Sequence, residues 1–257
     1  MADITSVPLV RFILIFYGVM LVIGPLTVRS QFRQQAKIDP QPLPIEALPA
    51  EIRAFMEPRL AAIQNLGFEL VTYLSLGALT GGTQAYMALF SNPRTCQWAD
   101  ISVVRSRTAL RGYIEFITRC SEDVQVDTNT NSTAGVLALH PTKRLVFRFP
   151  QVTDASVLYR LHQMLVQENT GGARPVLPPE GQEIAELKRR LERFGPTQAE
   201  LGYMYFDEAS QTYRLTWKGA ILAAWRSLWP VPVLRSWQMK QASASRLRAL
   251  GVASQPL

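Results

Sequence analysis

Two cysteines, two histidines and a charged fraction of only 18% set the first limits on this chain of 257 residues. Cys96 and Cys120 alone build neither a disulfide scaffold nor a multi-cysteine zinc module. His140 and His162 leave too little imidazole for a histidine-rich metal site, and neither belongs to an HExxH pair. No GxSxG or GxxxxGKS/T pattern occurs, and Gly77, Gly81 and Gly82 make no dinucleotide fingerprint. The residue types therefore assign no catalytic group, no metal and no cofactor, and the chain reads as non-enzymatic.

Acidic residues are absent from the last 49 positions. Residues 1–208 hold 20 bases and 20 acids, whereas 209–257 hold seven bases and no acid, so the formal charge of +7 belongs entirely to the tail. Arg outnumbers Lys 22 to 5, and a guanidinium suits bidentate contact with phosphate or carboxylate. Disorder is excluded for most of the chain, because 47% of it is hydrophobic and charge is sparse.

What the chain does have is a long apolar run. Residues 12–28 read FILIFYGVMLVIGPLTV without a charge, and extension back to Val7 adds only Arg11, near enough to the end to snorkel. A helix needs roughly 20 apolar residues to cross a hydrocarbon core of about 30 Å. Residues 1–30 are thus expected as a single transmembrane anchor, with Phe12, Ile13, Leu14, Ile15, Phe16, Leu21 and Ile23 in lipid. The start MADITSVP lacks the basic residue of a cleavable leader, and no A-x-A site follows. Arg29, Arg33 and Lys37 outweigh Asp3 and Arg11, which places the remainder in the cytoplasm at a bacterial-type inner membrane.

Residues 31–49 hold four prolines from Gln35 onward and read as an extended linker. Residues 50–216 read as an α+β domain: an antiparallel sheet of about five or six strands packed with helices. Pro58 is expected to begin a new turn after Ile52 and Met56, and Gly67 ends that helical region. Period-two alternation then marks strands at 69–76, 83–90, 98–105, 112–119, 123–128 and 144–149, and the short connections favour a meander. Asp154 caps a helix bearing Leu158, Leu161 and Leu165. A second helix carries Ile184, Leu187 and Leu191, with Glu186 and Arg190 spaced to pair and Gly195 to terminate it. Thr197 and Glu200 match a capping box, and a hairpin spans YMYF and QTYRLT.

Residues 217–257 form a Trp/Arg-rich, membrane-proximal helical segment, with Trp217, Trp225, Trp229 and Trp237 within 21 residues. Trp217 and Trp225 share a face with Ile221 and Leu228 and are expected to pack inward. Arg11, Arg29, Arg33, Trp229, Arg235, Trp237, Lys240, Arg246 and Arg248 are expected at the bilayer interface, where indole and guanidinium both suit the head groups.

The remaining polar features are weaker. DTNTNST at 127–133 reads as a polar turn without the acid spacing of a calcium loop. Arg105, Arg107, Arg111, Arg119, Arg144 and Arg148 suggest a basic sheet face. His162 reads as a partly buried structural histidine, and Asp100 and Glu115 sit on neighbouring strands with their faces undetermined.

Two membrane-directed ends without a catalytic set imply a single-pass membrane protein whose α+β domain is an accessory or scaffold subunit of a membrane-associated complex. Its partners would be anionic head groups and other proteins, with nucleic acid not expected. The alternative is a membrane-tethered domain that binds lipid or a small hydrophobic ligand in a cavity under the sheet.

Overall fold

The computed structural model describes residues 8–78, 83–106, 109–120, 124–133, 137 and 144–252. His140, Arg107 and the side chain of Ile13 therefore lie outside the described residues.

The apolar run forms α1 (Pro8–Gln31), which has no acid in its first turn, Arg29 in its last, and Pro25 inside it. The stretch after it, read from the sequence as a linker, adds strands to two sheets. β1 (Gln34–Gln35) pairs with a strand near the carboxy terminus, and β2 (Gln41–Leu43) pairs with β3, while Ile38 and Leu48 are buried. A short 3-10 turn at Ile45–Ala47 leads to α2 (Ala50–Gln64). Pro58 lies inside α2 and does not start a new turn. The burial of Ile52, Met56 and Ile63 on one side offsets the single N–H that the proline removes.

The six anticipated strands follow: β3 (Glu69–Ala78), β4 (Gln84–Asn92), β5 (Gln97–Arg105), β6 (Leu110–Arg119), β7 (Gln125–Asn129) and β8 (Arg144–Arg148). With β2 at the edge they make a seven-stranded sheet in the order β2-β3-β4-β5-β6-β7-β8. The meander expectation fails at its last step. β8 runs parallel to β7, with Val126 opposite Leu145, so the sheet is mixed. The segment joining residues 129 and 144 is long enough to return the chain to the same end before the strand begins, which a tight turn cannot do.

Alternation along the strands divides the sheet between two layers. One face carries Phe90, Ile101, Val103, Ile114 and Phe116, and is covered by α2 and by Leu158, Leu161 and Leu165 of α3 (Ala155–Thr170). Asp154 caps α3 by accepting the Ser156 N–H, as its position implied, and Gly171 closes the helix in the left-handed region. The other face carries Leu74, Leu76, Met87, Leu89, Trp98 and Ile117 beneath Leu187 of α4 (Glu183–Glu192).

Gly195 does not terminate that region. It is buried within α5 (Phe194–Glu200), where a Cβ would fall 2.4 Å from the Tyr213 ring, so its smallness admits the tyrosine. Thr197 accordingly lies inside α5, and no capping box forms. The expected hairpin is present as β9 (Met204–Asp207) and β10 (Thr212–Leu215), and β1 completes a three-stranded sheet. Thr216 then caps α6 (Trp217–Ser227) by accepting the Gly219 N–H, and α7 (Val231–Ala249) follows a cis Trp229–Pro230 bond. Leu215, Ala220 and Ala223 pack with Val28 and Phe32, so the end of α1 belongs to the folded body.

Candidate functional site

Two features of the structure carry functional information: an apolar belt around α1, and an ionic layer under α4. The belt arises because α6 lies antiparallel along the later half of α1. Arg29 stacks 4.6 Å from the Trp217 ring and donates to the Leu215 carbonyl, Gly24 faces Ala224, and the Tyr17 hydroxyl donates to the Trp229 carbonyl. At 1.5 Å per residue, residues 17–29 cover about 18 Å of helix.

The inner side of α6 is built from small residues, Gly219, Ala220, Ala223 and Ala224, which permit close approach to its neighbours. Its bulky residues are consequently turned outward. Trp217 and Trp225, expected to pack inward, are 50% and 51% exposed, with Ile221 between them at four-residue spacing. Trp229 and Trp237 are exposed at 69% and 59%, and Val233 and Leu234 extend the patch along α7. On α1, Phe12, Leu14, Ile15, Phe16, Leu21 and Ile23 are all exposed. Among the described residues, α1 is the one helix long and apolar enough to cross a membrane, and 6% of its most apolar window is buried.

The basic positions divide. Arg11, Arg33, Lys240 and Arg248 are exposed, whereas Arg29 and Arg235 are half-buried. Arg246 is drawn into the domain, where it bonds Glu168 of α3 at 2.8 Å and lies over the Phe147 ring. The anticipated basic sheet face does not form as one surface. Arg105 reaches Glu51 of α2 on one side, while Arg119 and Arg144 reach Glu186 and Asp127 on the other.

Under α4, three carboxylates are buried: Asp100 on β5, Glu115 on β6 and Asp127 on β7. Register places Asp100 opposite Glu115, and Glu115 opposite Asn129, whose amide donates to it at 2.7 Å. The Ser102 hydroxyl donates to Asp100 at 2.6 Å, and Arg144 Nε donates to Asp127 at 2.6 Å. Arg190 comes down from α4 to 3.9 Å from Asp100. It does not pair with Glu186, which instead binds Arg119 and Arg189.

Burial pushes the Asp100 carboxyl up to about 6, against the pull of Arg190. Glu115 is pushed up to about 8 by burial and by the charges of Asp127 and Asp100. Near neutral pH this layer therefore holds a proton on a carboxyl group. Burial likewise raises the Tyr113 hydroxyl beside it. On the opposite face His162 is fully buried between Thr118 and Thr128, at 2.8 and 2.9 Å, and burial lowers it to about 3. It is a neutral structural link, more completely buried than expected.

No group of three His, Cys, Asp or Glu side chains suited to a metal ion occurs among the described residues. Two cavities flank Arg190. One, of about 300 Å³, is lined by Tyr113, Glu115, Arg144 and apolar residues including Leu76 and Phe194. The other, of about 390 Å³, is lined by Trp98 and several arginines. The in-phase polar positions 100 and 102, 113 and 115, and 125, 127 and 129 are the sequence signal of this layer. They became a cluster only through register.

Compared with protein-family models, with curated proteins and with solved structures, the chain matches none of them.

Proposed function

We propose that this chain is a single-pass membrane protein whose α+β domain is seated on the bilayer and acts as an accessory or scaffold subunit of a membrane-associated complex. The observation that carries the reading is the line of exposed Trp217, Ile221, Trp225, Trp229 and Trp237 beside a 24-residue apolar helix whose side away from α6 is exposed. Large apolar side chains gain roughly 1.5–3 kcal/mol each when removed from water, so so broad a patch calls for an apolar covering. Tryptophan flanked by arginine suits the head-group boundary. In this arrangement Trp217 and Arg29 meet the head groups, while Trp225 and Trp229, the latter expected from its sequence at the interface, follow α1 toward the apolar layer because Trp229 stands beside Tyr17. Arg33 and Lys37, just beyond the helix, favour the cytoplasmic side for the domain.

Alkaline carbonate washing of membranes tests the anchor: the chain stays with the pellet, and its release into the supernatant overturns the reading. Sizing after extraction in mild detergent tests the subunit role. A larger assembly is expected, and a monodisperse monomer argues against it.

A further inference from the structure

We propose that the cavity between α4 and the sheet at Trp98 is a binding site for a small ligand that carries an oxyanion, phosphate or carboxylate, on an apolar body. The proposal is independent of the membrane reading. The cavity measures about 390 Å³, within the range of roughly 300–1,000 Å³ usual for small-molecule sites.

Its charge comes from helical spacing. Glu186, Arg189 and Arg190 on α4 and Arg193 at its C-cap stand at i, i+3, i+4 and i+7 and all line the cavity, and Arg119 joins them from β6. Four guanidinium groups thus face one carboxylate, Glu186. Glu186 binds Arg119 through one oxygen and Arg189 through the other, which holds both arginines in place before any ligand arrives. Guanidinium groups so fixed match phosphate and carboxylate geometry and lose little freedom on binding.

The unsatisfied groups point to the same chemistry. Trp98 is 7% exposed, and its Nε1 is buried with no partner among the described residues. Arg190 Nη1 is buried in the same condition, on a side chain whose Nη2 stands 3.9 Å from Asp100. Both residues line the cavity, and both unpaired atoms are donors that lie beneath its wall. Leaving a buried donor unpaired costs about 1–3 kcal/mol, and a ligand acceptor that reaches either atom by a small side-chain shift removes that cost. Ile117, Val176, Leu177 and Pro178 make an apolar part of the wall that suits a hydrocarbon portion, while Gln125 and Gln182 also line it.

The test is calorimetric titration of the full chain in detergent micelles with butyl phosphate, butyrate, inorganic phosphate and dihexanoyl phosphatidic acid. Saturable binding is expected for butyl phosphate or butyrate, at least tenfold tighter than for inorganic phosphate. A tenfold preference for the phosphatidic acid over butyl phosphate makes the ligand a lipid head group, and the reverse preference makes it a soluble metabolite. Trp98→Phe keeps the ring and deletes the donor, and Arg190→Gln removes the charge. Each is expected to weaken binding at least tenfold while the melting temperature holds. Should Arg190→Gln unfold the protein, Arg189→Gln, on a more exposed side chain, gives the same reading. Absence of saturable binding to the unmodified chain, or folded variants that bind as it does, overturns the proposal.

Discussion

Asp100 and Glu115 stand directly opposite one another across β5 and β6, both buried and both on the face that α4 covers. Burial is the main reason both are raised above their ordinary range, with the charge of Asp127 adding to each and that of Asp100 adding at Glu115.

The first prediction concerns the pH dependence this produces. Glu115 is raised in the folded state to about 8, so the folded chain binds a proton that the unfolded chain has released above about 4.5. Stability therefore falls as pH rises toward 8. Between pH 6.5 and 8 most of Asp100 has finished titrating and the loss attributable to Glu115 is about 1–2 kcal/mol, offset by only a few tenths as the unfolded His162 gives up its last half proton. Thermal melts should show a declining midpoint for the native chain over that window and no decline for Glu115→Gln.

His162 gives the opposite slope at acid pH. It is held near 3 when folded and is free to take a proton below about 6.5 when unfolded, so its contribution is present above 6.5 and is lost as pH falls. His162→Phe should cost about 2–4 kcal/mol at pH 7, because it deletes the bonds to Thr118 and Thr128. The stability difference between the native chain and the variant should shrink steadily from pH 6.5 to 4.5, which urea titrations at several pH values would measure.

Gly219 is a strict position. A Cβ there would lie 2.0 Å from the Tyr203 carbonyl oxygen, a backbone atom with no freedom to withdraw cheaply. Gly219→Ala should destabilise the protein by about 1–3 kcal/mol, by separating α6 from the β9–β10 hairpin. Differential scanning calorimetry reads the effect, and an unchanged melting curve would show that the close approach is unimportant.

The membrane seat predicts a depth for each tryptophan. In vesicles with lipids brominated along the acyl chain, Trp225→Phe and Trp229→Phe should remove a large part of the quenching. Trp98→Phe should remove none, since Trp98 is buried against Ile117 and Leu187. Equal effects from all three would contradict the placement of α6 beside α1.

Retention of α1 is checked by the intact mass of the membrane-bound protein. The full chain should be recovered, since Val28 and Phe32 pack against Leu215 and Ala220 and the helix is part of the fold. A mass shortened by the first 30 residues would mean that the segment is a cleaved leader.

Local patterns carried most of the fold into view. The run from Phe12 to Val28 specifies an apolar helix by composition alone, and alternation over eight to ten residues marks β3 to β6 to within a few positions. Asp154 announces α3 because a capping bond needs only the next two residues. Such signals live within one or two turns of chain.

The sequence by itself thus determined the long helices, the strands from β3 onward, and that α1 is apolar, whereas β1 and β2 lie in a stretch that reads as a linker. Only the tertiary structure decided which way β8 runs, that Gly195 admits Tyr213, and that Trp217 and Trp225 face outward. It also decided that Asp100, Glu115 and Asp127 share one buried layer with Arg190. The physical reason is the same in each instance. A side chain's face and partner depend on register and close approach between segments far apart in the chain, and periodicity within a segment says nothing about which neighbour it will meet.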